Sequence, residues 1–448
     1  MPTDHLFSHI VTTDELLAAT GDSAWLAAML DAEAALARAE AHAGVISAEV
    51  ASAIAAGCKS EAFDVEEIGR QARDGGNPVI PLVSRLREVV GPGARDFVHW
   101  GATSQDILDT AAVLVARRSG RVIDAGLLRL ADSCATLADS HRSTVMAGRT
   151  LLQPAVPITF GMKAAGWLGG VIDARQALAA AVDGLAVQLG GAAGTLASLG
   201  SRGPEVVSAF AGELGLPEPV MPWHTARERT ASLAAALGLV AGTSAKIAGD
   251  VALLMQHEVG EAFEPGGPGQ GGSSTMPHKS NPVGAAAVGA ATRRAHALVC
   301  LFFESLSGEH ERHVTSWPVE WQSLGELLAL TGGAVARTAE TVGGLEVVAG
   351  AMAERVRALA GLLLAERVSL ALAPRMGRSE AAAAVAEAGR RATDTSAGAL
   401  VASLMSDPRV AEVIQAPELE DLMDPAGYLG SSEVWIDRVL ARHAEMSR

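Results

Sequence analysis

Apolar residues recur at helical spacing along most of the chain. The clearest run alternates spacings of four and three over three heptads, with one polar member: Leu233, Leu237, Val240, Ser244, Ile247, Val251 and Leu254. Such a register is typical of a helix packed lengthwise against other helices. The pattern predicts an all-α protein with a long central helical bundle.

Two further stretches have helical patterns, and Gly-rich and Pro-rich segments separate them. Residues 15–44 carry apolar side chains at spacings of four and three, which predicts an amphipathic helix. Residues 281–306 are helical in pattern and nearly free of charge, so we expect burial on most sides, often against another subunit. Residues 74–86 and 89–96 carry the Gly and Pro residues of loops that flank a short helix, and residues 188–203 predict a connection.

The length of the helical patterns and the frequency of Gly and Pro change along the chain, which predicts three segments. We expect an N-terminal helical domain over residues 1–108, a central domain of long helices over 109–350, and a small C-terminal helical domain over 351–448.

The composition narrows the classes of partner. Among 448 residues there are 35 Lys and Arg against 51 Asp and Glu, a net charge of −16, so the surface repels phosphate backbones and nucleic-acid binding is not expected. The longest charge-free stretch, residues 184–201, contains five glycines and several hydroxyls, so no membrane span is expected either. The N-terminus lacks the pattern of a signal peptide, and Cys58, Cys134 and Cys300 are widely spaced. We therefore expect a soluble cytoplasmic protein with reduced, buried cysteines.

The segment EPGGPGQGGSSTMPHKSNPVG, residues 264–284, carries the candidate chemistry. A Gly-rich loop that ends in hydroxyl, cation and amide groups can close over a substrate, because backbone N–H groups hold an anion and Lys279 can neutralise a carboxylate. The spacing does not fit a Walker phosphate loop, since Lys279 follows His278 and precedes Ser280. A mobile surface connection is the alternative interpretation.

Within this segment, GSSTMPHKSNP (272–282) resembles the GSSxMPxKxNP signature of the fumarase and aspartase superfamily. HWGATSQDILDT (99–110) and GRTLLQPAVPITFG (148–161) resemble the superfamily's first and second conserved regions, in the expected order. The resemblance implies a homotetramer with a shared central bundle, and active sites built from the three conserved regions of three subunits. It implies no metal and no organic cofactor. The implied chemistry is elimination or addition beside a carboxylate through an enediolate.

Matching the signature residue by residue assigns the catalytic groups. The superfamily's catalytic base falls on Ser273, whose hydroxyl must be acidified by loop amides, by Lys279 and by a dry closed site. Lys279 and Asn281 match positions that bind the substrate carboxylate and stabilise the enediolate. Ser274 and Met276 of the same loop are candidates for substrate contact, with a structural role as the alternative for Ser274.

The second conserved region departs from the common pattern. Many lyases of the superfamily carry a histidine after the Arg-Thr pair, where this sequence has Leu151, and leucine cannot transfer a proton. This loss resembles the 3-carboxy-cis,cis-muconate cycloisomerase branch, as do residues 222–232 and 311–321. That branch implies conversion of a tricarboxylate, 3-carboxy-cis,cis-muconate, into 4-carboxymuconolactone in protocatechuate breakdown. In the reverse reaction the leaving group is a carboxylate, which leaves without protonation.

A tricarboxylate substrate requires several cations and hydrogen-bond donors. Besides the loop residues, the sequence offers these substrate-binding candidates: His99, Thr103, Ser104, Arg149, Gln153, His224, Arg227, Arg229 and Arg312. Ion pairing or structural hydrogen bonding is the alternative role for His99, His224, Arg227 and Arg229. His310 and His313 have a spacing suggestive of metal ligands, but a single adjoining Glu makes this weak, and no metal site is expected.

Two other functions stay open. One is a lyase of the same superfamily, such as adenylosuccinate lyase, in which His99 or His224 replaces the missing acid. The other is a catalytically inactive helical relative with a structural role, against which the intact set of Ser273, Lys279 and Asn281 argues.

Overall fold

The computed structural model describes residues 6–266, 271–272, 276 and 279–446. Within that part the chain begins with six short or medium helices: α1 (Ser8–Val11), α2 (Asp14–Thr20), α3 (Asp22–His42), α4 (Ala48–Gly57), α5 (Val65–Gly75) and α6 (Val79–Val90). Five long helices and one shorter helix follow: α7 (Ser104–Ser140), α8 (Phe160–Asp183), α9 (Gly203–Leu214), α10 (Glu228–Leu254), α11 (Val283–Glu304) and α12 (Ser316–Gly343).

Seven helices complete the chain: α13 (Ala349–Leu363), α14 (Ala365–Met376), α15 (Arg378–Arg391), α16 (Ala397–Met405), α17 (Pro408–Ala411), α18 (Ala416–Leu422) and α19 (Ser432–Met446). Four strands form two antiparallel pairs, β1 with β2 and β3 with β4: β1 (Val145–Thr150), β2 (Gln153–Thr159), β3 (Ala262–Phe263) and β4 (Glu346–Val347). The all-α prediction is confirmed.

The heptad register predicted for the middle of the chain lies on α10. All seven of its members are buried, Ser244 included, whose Oγ donates to the carbonyl of Val240 within the helix. The predicted helix over residues 15–44 is two helices, because Gly21 has an extended backbone between α2 and α3. Thr13 caps α2 by accepting from the backbone N–H of Leu16.

Helix α11 does not have the burial that its apolar sequence predicts. Only 28 % of its most apolar 18-residue window is buried within the chain, and Val283, Leu301 and Phe303 are exposed. By length and composition α10 and α11 could cross a membrane, a test that core helices of soluble proteins also pass. The corresponding window of α10 is 56 % buried. The predicted burial of α11 is therefore not satisfied by this chain alone.

Contacts between Cα atoms divide the chain into two units. The first unit comprises Met1–Leu128, Asp173–Ala245 and Ala286–Thr338, and the second comprises Arg129–Ile172, Lys246–Ala285 and Ala339–Arg448. The three consecutive segments predicted from the sequence are a different division and stay a prediction. In the second unit, helices α14 to α18 share a hydrophobic cluster that includes Leu364, Leu372, Leu404 and Leu419.

The second conserved region forms the β1–β2 hairpin, which helical periodicity did not predict. Thr150 pairs with Gln153, so Leu151 and Leu152 are the two loop residues, and both have positive φ angles of 49° and 64°. A bulge lies at Gly148, where an added Cβ would stand 2.7 Å from the carbonyl oxygen of Val156. Leu151 is 97 % exposed. The residue that replaces the superfamily's histidine thus lies at the tip of a tight turn.

The cysteines only partly match their predicted burial. All three are free, but Cys134 is buried, Cys58 is half-buried and Cys300 is exposed. Burial raises the pKa of the Cys58 thiol to about 12, which keeps it protonated.

Candidate functional site

The predicted site residues divide between the two units. The first unit holds the following candidates: His99, Thr103, Ser104, His224, Arg227, Arg229 and Arg312. The second unit holds the following candidates: Arg149, Gln153, Met276, Lys279 and Asn281. Ser273 and Ser274 lie outside the described residues.

In the first unit, Asp106 organises the residues around the first conserved region. Its Oδ1 accepts from the backbone N–H of Gly190 at 2.9 Å and lies 2.7 Å from Nε2 of His224. Its Oδ2 accepts from the N–H groups of Thr103 and Gly191, each at 2.9 Å. The carboxylate is fully buried, and hydrogen bonds of this kind to a charged acceptor are strong. Asp106 therefore fixes three chain segments relative to one another.

Thr103 and Arg312, both predicted to bind substrate, lie in contact. Nη1 of Arg312 donates to Oγ1 of Thr103 at 2.7 Å, and Nη2 donates to the carbonyl of Ala192 at 3.0 Å. Thr103 also precedes α7, where Ser104 accepts from Nδ2 of Asn77 at 3.3 Å. The arrangement places a guanidinium, two hydroxyls and the N-terminus of a long helix in one place, which suits an anionic ligand.

His99 is held by an acidic residue that sequence reasoning missed. Nδ1 of His99 lies 2.6 Å from Oε1 of Glu33 on α3. Burial alone would lower the pKa of His99, but the Glu33 carboxylate and the charge of Asp106 raise the pKa overall.

Arg227 lies in a buried ion cluster. Its guanidinium donates to both carboxylate oxygens of Asp109, at 2.8 and 3.2 Å, and to Glu320, and it stands 4.9 Å from the centre of the Trp223 ring. Trp317 adds a hydrogen bond from Nε1 to Asp109 at 3.0 Å. With the side chain 1 % exposed, the guanidinium is committed to these partners. These contacts favour the structural alternative for Arg227 over substrate binding.

The other two uncertain candidates of the first unit have structural partners as well. His224 is buried against Asp106, which favours the structural alternative for that histidine. The guanidinium of Arg229 donates to the carbonyl of Gly184, at the start of the connection that leads to Gly190 and Gly191. His224 helps to position Thr103 through Asp106, and Arg229 contacts the connection through Gly184.

In the second unit, Arg149 of β1 forms a bidentate ion pair with Glu261. Nη1 and Nη2 each lie 2.8 Å from one carboxylate oxygen of Glu261, which is fully buried. Lys163, on the first turn of α8, is a cation that the sequence analysis did not select. Its Nζ lies 3.9 Å from Asp250, and burial lowers the pKa of its ammonium. Gln153 begins β2 and is exposed beside the hairpin turn.

The base of the signature loop is closed by backbone pairing. Gly272 and Ser280 form an antiparallel bridge, and Asn281 donates from its backbone N–H at 2.9 Å and from Nδ2 at 2.8 Å to the carbonyl of Gly271. Gly271 has a φ of +65°, and an added Cβ would stand 2.6 Å from the carbonyl oxygen of Asn281. Met276 and Lys279 are exposed, and the N–H of Lys279 donates to the carbonyl of Met276.

The N-terminus of α11, directly after the loop, is already occupied by a carboxylate. Glu264 accepts from the N–H groups of Gly284 and Ala285, at 2.9 and 2.7 Å. Glu264 therefore supplies the anion that a helix N-terminus favours, and the loop is tied to α11 at both its beginning and its end.

Two other possible sites were considered. Among the described residues, no group of three or more His, Cys, Asp and Glu side chains could hold a metal ion, and His310 and His313 stay without a metal assignment. A cavity of about 600 Å³ in the first unit is lined by Trp25, Met29, Trp321 and the Arg294–Glu326 ion pair. None of the site candidates that the structure describes lines that cavity.

The missed residues carry sequence signals of unequal strength. Thr103 and Asp106 make one of the two hydrogen bonds of a capping box, since Asp106, the third residue of the helix, accepts from the N–H of Thr103, and the sequence TSQD could have revealed it. Glu33 lies 66 positions before its partner His99, and Glu261 lies 112 positions after Arg149. No local sequence pattern predicts pairs that form only through tertiary packing.

The chain matches known protein families over most of its length. A family described as "Lyase" matches residues 9–296, and one described as "Adenylosuccinate lyase C-terminus" matches residues 361–439. This chain belongs to the Lyase family of the fumarase and aspartase superfamily. The resemblance recognised in its three conserved regions is thereby confirmed.

Individual relatives of this lyase cover nearly its full length. It is 45 % identical over 447 residues to the 3-carboxy-cis,cis-muconate cycloisomerase of Pseudomonas aeruginosa, covering 99 % of this chain and 97 % of the relative. It is 42 % identical over 434 residues to the nitrosuccinate lyase of Streptomyces davaonensis, covering 94 % and 91 % respectively. The crystal structure of the 3-carboxy-cis,cis-muconate lactonizing enzyme from Pseudomonas putida matches with a TM-score of 0.91 and 40 % identity, covering 99 % of this chain and 100 % of that one.

Proposed function

We propose that this lyase is a cycloisomerase that converts 3-carboxy-cis,cis-muconate into 4-carboxymuconolactone, in the cytoplasm and without a metal or organic cofactor. The observation that carries the proposal is the end-to-end similarity to enzymes with this name, in a chain that has Leu151 where other lyases of the superfamily carry an acid. A turn-tip leucine cannot protonate a leaving group, so the chemistry must be one that does not require it.

The reaction forms one C–O bond and one C–H bond. A carboxylate oxygen of the substrate adds to the conjugated double bond, and the electron pair moves into a neighbouring carboxylate as an enediolate. Ser273, or a group that relays its proton, then delivers a proton to the carbon beside that carboxylate. In the opposite direction the oxyanion of Ser273 removes the same proton, and the lactone carboxylate leaves as an anion.

The remaining site residues are proposed to bind the three carboxylates and the enediolate. Lys279 and Asn281 would serve the carboxylate beside the reacting carbon, and Asn281 is held at the base of the loop by Gly271. Arg312 and Thr103 would serve a second carboxylate, since they already share a hydrogen bond. Arg149 and Gln153 lie at the hairpin, where Arg149 keeps its orientation through Glu261.

We further propose a homotetramer in which each active site takes its three conserved regions from three subunits. Support comes from α11, an apolar helix that the chain itself leaves mostly uncovered. Exposed apolar area of this extent is typical of a subunit interface. Multi-angle light scattering should give four times the chain mass, and a monomer would contradict the proposal.

A nitrosuccinate lyase activity is the second candidate, and Leu151 favours it as well. Elimination from nitrosuccinate expels nitrite, which is an anion that leaves without a general acid, and the similarity to the Streptomyces davaonensis enzyme is nearly as high. An adenylosuccinate lyase that uses His99 or His224 as its acid is less well supported, because His224 is buried against Asp106. A purely structural role is also less well supported, because the catalytic loop would then have been retained without use.

The test is a direct comparison of substrates. Purified enzyme should remove the diene absorbance of 3-carboxy-cis,cis-muconate, whereas release of nitrite from nitrosuccinate or of fumarate from adenylosuccinate, without diene loss, would overturn the assignment. Ser273→Ala should lower kcat by roughly a thousandfold while leaving the assembly unchanged. Ser280→Ala is the matched control, since it removes a hydroxyl at the base of the same loop, and it should stay within a few-fold of wild type.

A further inference from the structure

His99 and Glu33 form a buried pair that links the first conserved region to α3. The distance from Nδ1 of His99 to Oε1 of Glu33 is 2.6 Å, and the side chains are 14 % and 1 % exposed. The backbone of His99 has a φ of +63°, which is rare for a residue with a Cβ. Packing therefore holds this histidine in a strained conformation that aims its ring at Glu33.

Glu33 has few other ways to satisfy its charge. Its second oxygen, Oε2, is buried and has no hydrogen-bond partner among the described residues. Its buried neighbour Glu40 does not add a second negative charge, because burial and the nearby Glu33 carboxylate raise the pKa of Glu40 to about 9 and keep it neutral. A buried carboxylate with one partner favours the protonated form of that partner.

The groups that face His99 from the packed elements agree with this conclusion. Glu33 on α3 and Asp106 on α7 act on the imidazole as negative charges, and Arg87 on α6 acts as a positive charge. The net effect, against the cost of burial, is a raised pKa for His99. Because Nδ1 is engaged by Glu33, the nitrogen left to meet a ligand is Nε2, which makes no hydrogen bond to the described residues.

We propose that Glu33 is a positioning residue that keeps His99 protonated and oriented, so that Nε2–H of His99 donates to a carboxylate of the substrate. The inference rests on the proposed cycloisomerase function and adds to it. Leu151 stands where many lyases of the superfamily have a second-region histidine, and His99 of the first region offers an imidazole that can bind a trianionic substrate. The role of Glu33 is to set tautomer, charge and direction, as carboxylates do for histidines in other sites.

Steady-state kinetics against pH separate this role from simple support of the fold. In wild type, KM for 3-carboxy-cis,cis-muconate should rise as pH rises through the pKa of His99, when the imidazolium is lost. In Glu33→Gln that rise should begin at least about one pH unit lower, giving a roughly tenfold higher KM at pH values between the two midpoints that recovers on acidification, with kcat changed less. Glu40→Gln, an isosteric change of a buried carboxyl two turns further along the same helix, should follow wild type.

A titration without substrate tests the pair independently of the reaction. In protein labelled with ¹³C-histidine, the resonance missing from His99→Gln identifies His99, and its midpoint should fall by about one pH unit or more in Glu33→Gln. Should Glu33→Gln not fold, Glu33→Asp keeps the charge on a shorter arm and should give a smaller fall. An unchanged midpoint, or equal pH profiles for the Glu33 and Glu40 variants, would overturn the inference. A wild type that does not consume the muconate would overturn the proposed function alone.

Discussion

His224 and Asp106 form a hydrogen-bonded pair in the interior of the first unit, with Nε2 of His224 2.7 Å from Oδ1 of Asp106. The same carboxylate accepts three backbone N–H groups, from Thr103, Gly190 and Gly191. One side chain thus joins the start of α7, the connection before α9 and the segment before α10. The positions of Thr103 and Arg312, which are proposed to bind substrate, depend on this junction.

Asp106→Asn should therefore destabilise the protein strongly. The amide keeps the size of the carboxylate but replaces one acceptor oxygen by an NH₂ group that faces N–H donors, so buried donors lose their partner. We expect a loss of about 3 kcal/mol in the free energy of unfolding, measured by urea denaturation at fixed protein concentration. Asp74→Asn, at an exposed position on α5, is the control and should change stability by less than about 0.5 kcal/mol. Equal stability of the two variants would contradict the role of Asp106.

Arg227→Met tests the assignment of Arg227 to the fold. The substitution leaves Asp109 and Glu320 buried without their cation, which should cost about 3–5 kcal/mol. Burial already raises the pKa of Glu320 against the opposing effect of Arg227, so without the arginine that pKa rises further and the loss of stability grows as pH rises. The measurement is the denaturation midpoint at pH 6 and pH 8. Arg229→Met is the matched control with a small expected effect, and an equal loss in both variants would return Arg227 to the substrate-binding candidates.

The sequence predicted the features that local periodicity determines. The α10 register is buried at every position because seven apolar or small side chains lie on one face. The hydrogen bond from the N–H of Thr103 to Asp106 at the start of α7 is equally local, but it was not among the predictions. The pairing of His99 with Glu33 could not be predicted, because it depends on how α3 packs. The apolar pattern of α11 predicts that the helix is covered, but it does not specify what packs against the face that the chain leaves uncovered.

The hairpin shows a different limit of sequence reasoning. Two-residue turns with positive φ at both positions normally carry Asn-Gly or similar pairs, and Leu151-Leu152 gives no such signal. Two leucines in this conformation are strained, and such strain persists only where the surrounding structure or the function requires it.

Leu152→Gly should therefore stabilise the protein. Glycine adopts a positive φ without a Cβ clash, and Leu152 is mostly exposed, so little packing is lost. We expect a gain of about 1 kcal/mol in thermal or urea denaturation. Leu239→Gly supplies the contrast, since Leu239 is exposed in the interior of α10, where glycine should cost about 1 kcal/mol. A loss of stability in Leu152→Gly would mean that the leucine is packed in the assembled protein, as a subunit contact requires.

Glu40 should make the protein less stable as pH rises. Its pKa is about 9 in the folded chain against 4.5 without burial, so between these values the unfolded chain releases a proton that the folded chain retains. Stability then falls with pH by up to about 1.4 kcal/mol per unit across that interval, and the penalty is absent below pH 4.5. Glu40→Met fills a similar volume without a titrating group, so its advantage over wild type should be small at pH 5 and should increase steadily toward pH 8. Urea denaturation at a series of pH values measures this difference. An advantage that does not change with pH would show that burial does not keep Glu40 protonated. Glu33 would then have a second negative charge beside it instead of a neutral neighbour.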